Sequence, residues 1–210
     1  MGRPSRYSRA AIEDAAIAVL DRDGAAGLTL RGLARELGTG AMTLYNYVED
    51  ASALEALVVD RVLQDAAPLP APSADWRADV AAIAEAVWRA VQPHPHAIPL
   101  ILGRRSRSPI FLDTAEALLA ALARSGRQHT DLLVAFRAVT TLATSFAMTE
   151  LAGPDSAHRE DPVAVVARFR SLPQDRYPHL IEIARATASS DPEAEFRAGL
   201  SALLDGLADR

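Results

Sequence analysis

Apolar side chains recur along this chain every three or four residues, and the two-residue alternation of strands is missing. Ile12, Ala15, Ala16, Val19 and Leu20 follow the i, i+3, i+4, i+7, i+8 rhythm of one buried helix face. Ser8 stands where an N-cap belongs, and Asp23-Gly24 marks a stop because Gly24 tolerates a left-handed C-terminal conformation. Thr29 caps a second helix that turns Leu30, Leu33, Ala34 and Leu37 inward. Gly38-Thr39-Gly40 makes a turn, and the spacing predicts a third helix over 41–47. Asp50 caps a fourth, with Leu54, Leu57, Val58 and Val62 on one face.

Pro68, Pro70 and Pro72 interrupt this pattern. Proline lacks an amide donor and disfavours helix in the residue before it, so these prolines predict a linker. The linker divides the chain into an N-terminal unit over 1–50, a connecting helix over 51–67 and a C-terminal domain over 73–210. The second part reads as a succession of longer helices. One starts at Ser73 or Asp75 and buries Trp76, Val80, Ile83, Val87 and Val91. Pro93, Pro95 and Pro99 break the chain before a short helix that runs to Leu102. Further helices are predicted over 113–125, 131–151, 162–172 and 177–189, with a loop over 153–162. Asp191-Pro192-Glu193 combines a cap, a first-turn proline and an acid at the positive helix end. The last helix, which starts there, buries Phe196, Leu200, Leu203, Leu204 and Leu207. The predicted fold class is all-α, with a three-helix N-terminal unit and a helical C-terminal domain.

Composition narrows the function. The chain has no cysteine, which excludes disulfides, thiolate zinc sites and a cysteine nucleophile. Met1-Gly-Arg-Pro-Ser-Arg is followed by no apolar run, so no signal peptide is expected. No window approaches the ~18 consecutive apolar residues of a membrane span, and a cytoplasmic protein is the expectation. Net charge is −5, and all 22 cationic side chains are arginine. Residues 1–10 nevertheless carry Arg3, Arg6 and Arg9 and no acid. Such a local patch can grip phosphate although the whole chain is acidic.

Residues 28–48 carry the most specific chemistry. Two short helices joined by a tight turn are one way to place side chains in a DNA major groove. Gly38 supplies the positive φ that the turn needs. Thr43, Tyr45 and Tyr47 are hydrogen-bonding groups able to reach phosphates or base edges, and Arg31 can reach the flanking backbone or a guanine. Leu44 and Val48, one helical turn apart, face inward. The same pattern also suits two small packing helices in a bundle, so the residues alone leave both readings open.

Residues 8–62 resemble the N-terminal domain of the TetR family of bacterial transcriptional repressors. The match rests on Ile12, Ala15 and Ala16, on Gly27-Leu28-Thr29, Leu33-Ala34 and Leu37-Gly38, and on Thr43-Leu44-Tyr45 with Val48, Leu54 and Leu57. The Gly2-Arg3-Pro4 arm is similar to arms in the family. The resemblance implies that Thr29 and Arg31 contact DNA at the start of the second helix. It assigns Ala41, Met42, Thr43, Tyr45, Asn46 and Tyr47 to the recognition helix, with Tyr45 on a phosphate, and adds Arg3 and Arg6 from the arm. Ala41 and Met42 offer only apolar contact, for example to a thymine methyl. Many relatives hold phosphate with a lysine at the start of the fourth helix; Glu49-Asp50-Ala51 stands there in this chain.

The C-terminal part resembles the ligand-binding and dimerisation domain of the same family, in the subgroup that includes the tetracycline repressors. Phe196, Leu200, Leu203, Leu204 and Leu207 after Asp191-Pro192, and Leu102-Gly103-Arg104-Arg105, carry that likeness. It implies a homodimer built on the 131–151 and 192–208 helices. It further implies binding to palindromic double-stranded operator DNA and release by a small effector. Tetracycline-responsive members carry a magnesium-binding histidine just before this Leu-Gly pair. Ile101 occupies that position here, which argues against tetracycline–magnesium and for a different, largely apolar organic ligand.

Trp88, His94, Ile101, Phe111, Phe136, Thr140, Thr144 and Met148 form the candidate pocket lining, each of which also reads as ordinary core or rim. His94-Pro95-His96 has neither i, i+4 spacing nor an adjacent carboxylate or cysteine, so no metal site is expected, and no cofactor either. Arg104, Arg105 and Arg107 read as a solvated basic loop. Two rival readings remain. A helical enzyme would need a catalytic constellation, and no metal motif or glycine-rich phosphate loop is visible. A constitutive or partner-controlled DNA-binding regulator would have its pocket filled by side chains.

Overall fold

The computed structural model describes residues 7–104, 108–151, 162–189 and 191–208. Among these residues every regular element is a helix. The first four, α1 (Arg9–Gly27), α2 (Leu30–Glu36), α3 (Ala41–Leu44) and α4 (Ala51–Gln64), build the N-terminal unit. Ser8 Oγ accepts from the Ala11 amide at 3.1 Å, Thr29 Oγ1 from Gly32 at 3.0 Å and Asp50 Oδ1 from Ala53 at 2.7 Å. Each cap satisfies an amide that the first helical turn leaves without a partner. Gly24, at φ 67°, kinks α1 rather than ending it, and a short helical continuation runs to Gly27. Gly32 is needed for packing: a Cβ there would stand 2.4 Å from the Gly27 carbonyl oxygen. Ile12, Leu20, Leu33, Leu44, Val48, Leu54 and Val58 close the core of this unit, while Leu30 and Leu37 are half-buried at its edge.

The C-terminal body holds α5 (Trp76–Val91), a 3₁₀ turn (Pro95–Ala97), α6 (Ile98–Arg104), α7 (Pro109–Ala123) and α8 (His129–Leu151). It continues with α9 (Pro162–Arg170), α10 (Pro178–Ala186), a second 3₁₀ turn (Thr187–Ser189) and α11 (Pro192–Ala208). Asp75 caps α5, whose buried stripe is Val80, Ile83, Ala84, Trp88 and Val91; Trp76 and Val87 are half-buried instead of fully inward. Helix α7 begins at Pro109 rather than at 113, because Ser108 Oγ accepts from Phe111 and proline suits the first turn. Helix α9 stops at Arg170 and α10 starts at Pro178, so both are shorter than their periodicity predicts.

Helix α5 packs between α7 and α8, and α11 lies on α8 and α5. Trp88 stacks on Phe196 with ring centroids 4.9 Å apart, and Phe146 meets Phe196 edge-on at 5.6 Å. Helix α4 packs on α5, α6 and α7, so the apolar interior runs without a break from the N-terminal unit into the body. Helices α9 and α10 pack chiefly on each other, burying Ile181 and Ala184 and leaving Val163, Leu180 and Ile183 exposed.

The end of the proline linker is fastened to the body. The Ser73 amide donates to both carboxylate oxygens of Asp79, at 3.0 and 2.9 Å. Arg124 donates to the Ser73 carbonyl at 2.6 Å and to Asp79. The hydrogen bonds from Ser73, with the Arg124 guanidinium beside them, hold the Asp79 carboxyl below its ordinary range against the opposing effect of burial.

Candidate nucleic-acid interface

The turn between α2 and α3 is built as its residues require. Gly38 sits at φ 60°, and the Thr39 amide closes back on the Ala34 carbonyl at 2.9 Å. Leu33 and Leu44 are fully buried and Val48 nearly so, which locks α3 against α1, α2 and α4. With those anchors inward, the remaining residues of the segment face solvent. Met42 is 79% exposed and Tyr45 51% exposed. Asn46 is exposed and donates from Nδ2 to the Thr43 carbonyl at 3.3 Å, which leaves its side-chain oxygen available. Thr43 and Ala41 are half-buried on the flank of α3. Thr29 is exposed but commits an oxygen lone pair to capping α2, and its hydroxyl proton is still free to be donated. Arg31 is exposed and forms no ion pair among the described residues.

Helix α3 is shorter than the predicted 41–47. It ends at Leu44, and residues 45–47 continue as turns in which the Tyr47 and Val48 amides both donate to the Leu44 carbonyl, at 2.8 and 2.9 Å. The cause is long-range. Tyr47 is half-buried against Tyr7, edge-on with centroids 6.2 Å apart, and its hydroxyl accepts from the Tyr7 amide at 3.3 Å. The Tyr7 hydroxyl in turn donates to the Leu37 carbonyl at 3.0 Å. Tyr47 therefore fixes the start of α1 to the end of α3, a role that local periodicity does not reveal. Arg3 and Arg6 lie outside the described residues.

The candidate pocket residues are not brought into one lining. Trp88 and Ile101 are sealed in the core, Phe111, Phe136, Thr140 and Thr144 are half-buried, and Met148 is 44% exposed. The Thr140 and Thr144 hydroxyls donate to carbonyls one turn back in α8, each at 2.9 Å, so neither proton is free for a ligand. Trp88 Nε1 and His96 Nδ1 are buried without a hydrogen-bond partner. His94, expected at the pocket rim, instead places Nδ1 2.8 Å from Asp21 Oδ2 on α1. Arg104, expected in a solvated loop, is only 18% exposed at its side chain and pairs with Glu55; Arg105 and Arg107 lie outside the described residues. No cluster of three or more metal-ligating side chains occurs among the described residues.

Two concavities are open to solvent. One, of about 440 Å³, lies over the α7–α8 turn at Ser125, Arg127 and Asp131. The other, of about 450 Å³, is a shallow apolar trough on α8 and α11 lined by Arg137, Ala138, Thr141, Leu142, Ser145 and Leu203. Helix α8 is long and apolar enough over His129–Met148 to cross a membrane by length and composition, contrary to the expectation from consecutive apolar residues. In this fold Ala135, Val139, Ala143 and Ala147 turn one face of it into the core, and its other face borders the trough.

Comparison with known proteins agrees with this arrangement. Residues 69–210 match the family model for the tetracyclin repressor-like C-terminal domain. The HTH-type transcriptional repressor DrrR1 of Streptomyces coeruleorubidus is 29% identical over 98% of this chain and 80% of its own length. The class D tetracycline repressor protein of Escherichia coli is 30% identical, covering 96% of this chain and 89% of its own length. The crystal structure of the Streptomyces coelicolor TetR family protein ActR in complex with (S)-DNPA superimposes with a TM-score of 0.73 at 25% identity, over 96% of both chains. With a matching family model over most of the chain and relatives aligned along almost all of it, the protein belongs to the TetR family of transcriptional regulators.

Proposed function

We propose that this chain is a DNA-binding repressor that sits as a homodimer on a palindromic operator and is released by a small organic effector. The observation that carries the reading is the turn at Gly38. It buries Leu33, Leu44 and Val48 and thereby presents Arg31, Met42, Tyr45 and Asn46 together on one exposed surface. Thr29, Arg31, Ala41, Met42, Thr43, Tyr45, Asn46 and Tyr47 form this surface in our reading, with Arg3 and Arg6 added from the arm. Met42 and Ala41 carry no base-reading donors, so specificity falls to Arg31, Thr43, Asn46 and the shape of the DNA.

The dimer reading is supported by α8. Val134, Ala138, Thr141, Ser145 and Met148 recur at alternating spacings of four and three, and Val134 and Met148 are 56% and 44% exposed. That is the seam along which two helices pack in a bundle. Residues 73–210 then serve dimerisation and effector binding, residues 1–50 read DNA, and the 51–67 helix connects them. The effector reading draws on the relatives. ActR is crystallised with (S)-DNPA and the class D protein is a tetracycline repressor, while Ile101 here supplies no metal ligand. An effector releases DNA only by binding more tightly to a spacing of the two units that does not fit the operator.

Operator binding by the Arg31→Ala, Tyr45→Ala double variant tests the DNA surface. Affinity is expected to fall by roughly 1–3 kcal/mol per lost contact. Unchanged affinity at physiological salt contradicts the placement of the surface.

A further inference from the structure

Residues 94–108 run beside the N-terminal helices and are tied to them at three points. His94 meets Asp21 on α1 at 2.8 Å. Arg104, at the end of α6, donates from Nε and Nη2 to Glu55 Oε2 at 2.8 and 2.5 Å, and from Nη1 to Ser52 Oγ at 2.9 Å. Ser108 donates to Asp60 Oδ1 at 2.8 Å while its oxygen caps α7. Ser108 is buried and the Arg104 side chain is only 18% exposed, so solvent screens these ties less than a surface pair.

Their placement has a mechanical consequence. Ser52 and Asp60 are eight residues apart on α4, about 12 Å along its axis at 1.5 Å per residue. One anchor leaves a helix free to pivot; two anchors along its length fix its direction. The third anchor, on α1, fixes its rotation. Apolar contacts between α4 and the body tolerate sliding, whereas these hydrogen bonds have discrete geometry.

We propose that this three-point latch sets the separation of the two recognition surfaces, and that Arg104, Glu55 and Ser52 are positioning residues for operator half-site spacing. This rests on the reading of the chain as a dimer on a palindrome. The test uses the full-length protein, its selected operator, and the same operator with two base pairs inserted between half-sites, a shift of about 7 Å. Wild type is expected to lose at least about tenfold in affinity on insertion, because rigid units cannot follow the displaced half-site. In Glu55→Gln and in Ser52→Ala that ratio is expected to shrink at least about threefold. The swap of Glu55→Arg with Arg104→Glu is expected to restore it. A merely structural contact lowers the melting temperature and leaves the ratio of the two affinities unchanged. Wild type that binds no operator defeats the functional reading. Wild type that discriminates spacings, with unchanged ratios in both Glu55→Gln and Ser52→Ala, overturns the latch.

Discussion

The two ends of this molecule finish their surfaces differently. In the N-terminal unit the large apolar side chains are enclosed by α1, α2, α3 and α4 of a single chain. The exposed exceptions among its described residues are Met42 and Tyr45, both at the predicted DNA surface. In the C-terminal body, Leu133, Val134, Met148, Val163, Leu180 and Ile183 remain exposed on α8, α9 and α10. Contiguous apolar surface of this kind marks an interaction site. The contrast separates a unit that is complete within one protomer from one that a second copy completes, and the sharpest experiments act on that contrast.

Placing charge in the α8 seam with the pair Val134→Asp and Met148→Asp should have the largest effect. The protein is expected to run as a monomer in sedimentation. Operator affinity is expected to fall by roughly 10²–10⁴-fold, because the second half-site no longer binds intramolecularly. A stable dimer in this variant removes α8 from the interface. Leu44→Ala acts on the other side of the comparison. It deletes a fully buried side chain and should cost about 2–5 kcal/mol in urea unfolding. A wild-type-like unfolding midpoint would show that α3 is not held as described.

Thr29→Ala should cost about 1 kcal/mol of stability by removing the cap from α2. It should also reduce operator affinity, since α2 carries Arg31. Stability lost with affinity retained separates capping from DNA contact. The smallest effect concerns Asp79. Its carboxyl is depressed in the folded state, so its stabilising contribution is present above the unfolded value of about 3.9 and is lost as pH falls through the lower folded value. Wild type is therefore expected to exceed Asp79→Asn in stability at neutral pH, and the gap should close below about pH 4. A gap that stays constant to low pH shows that the Asp79–Ser73–Arg124 cluster does not act through charge.

Much of the fold was legible because helix starts depend on neighbours in sequence. Ser8, Thr29, Asp50, Asp75 and Asp191 all accept backbone amides as caps. Ser108-Pro109 carried the same local signal and was overlooked, which misplaced the start of α7. The early end of α3 was not legible, since it depends on Tyr7 holding Tyr47 forty residues away. The ties of His94, Arg104 and Ser108 were hidden for the same reason, joining residues 73, 49 and 48 positions apart. Periodicity places residues on faces but does not say which face meets which. The pocket set shows the same limit: Trp88 and Ile101 are apolar positions filled by core packing, and their spacing does not distinguish lining from filling.

The central claim is that two copies of the Gly38 turn segment read one palindrome. Selection of bound sequences from random double-stranded DNA, run in parallel on wild type and on Arg31→Ala, Tyr45→Ala, tests it most directly. The account predicts that wild type enriches an inverted repeat with half-site centres about one helical turn or slightly more apart, and that the variant loses the enrichment. Enrichment of an asymmetric single site by wild type, or the same repeat recovered by the variant, contradicts it.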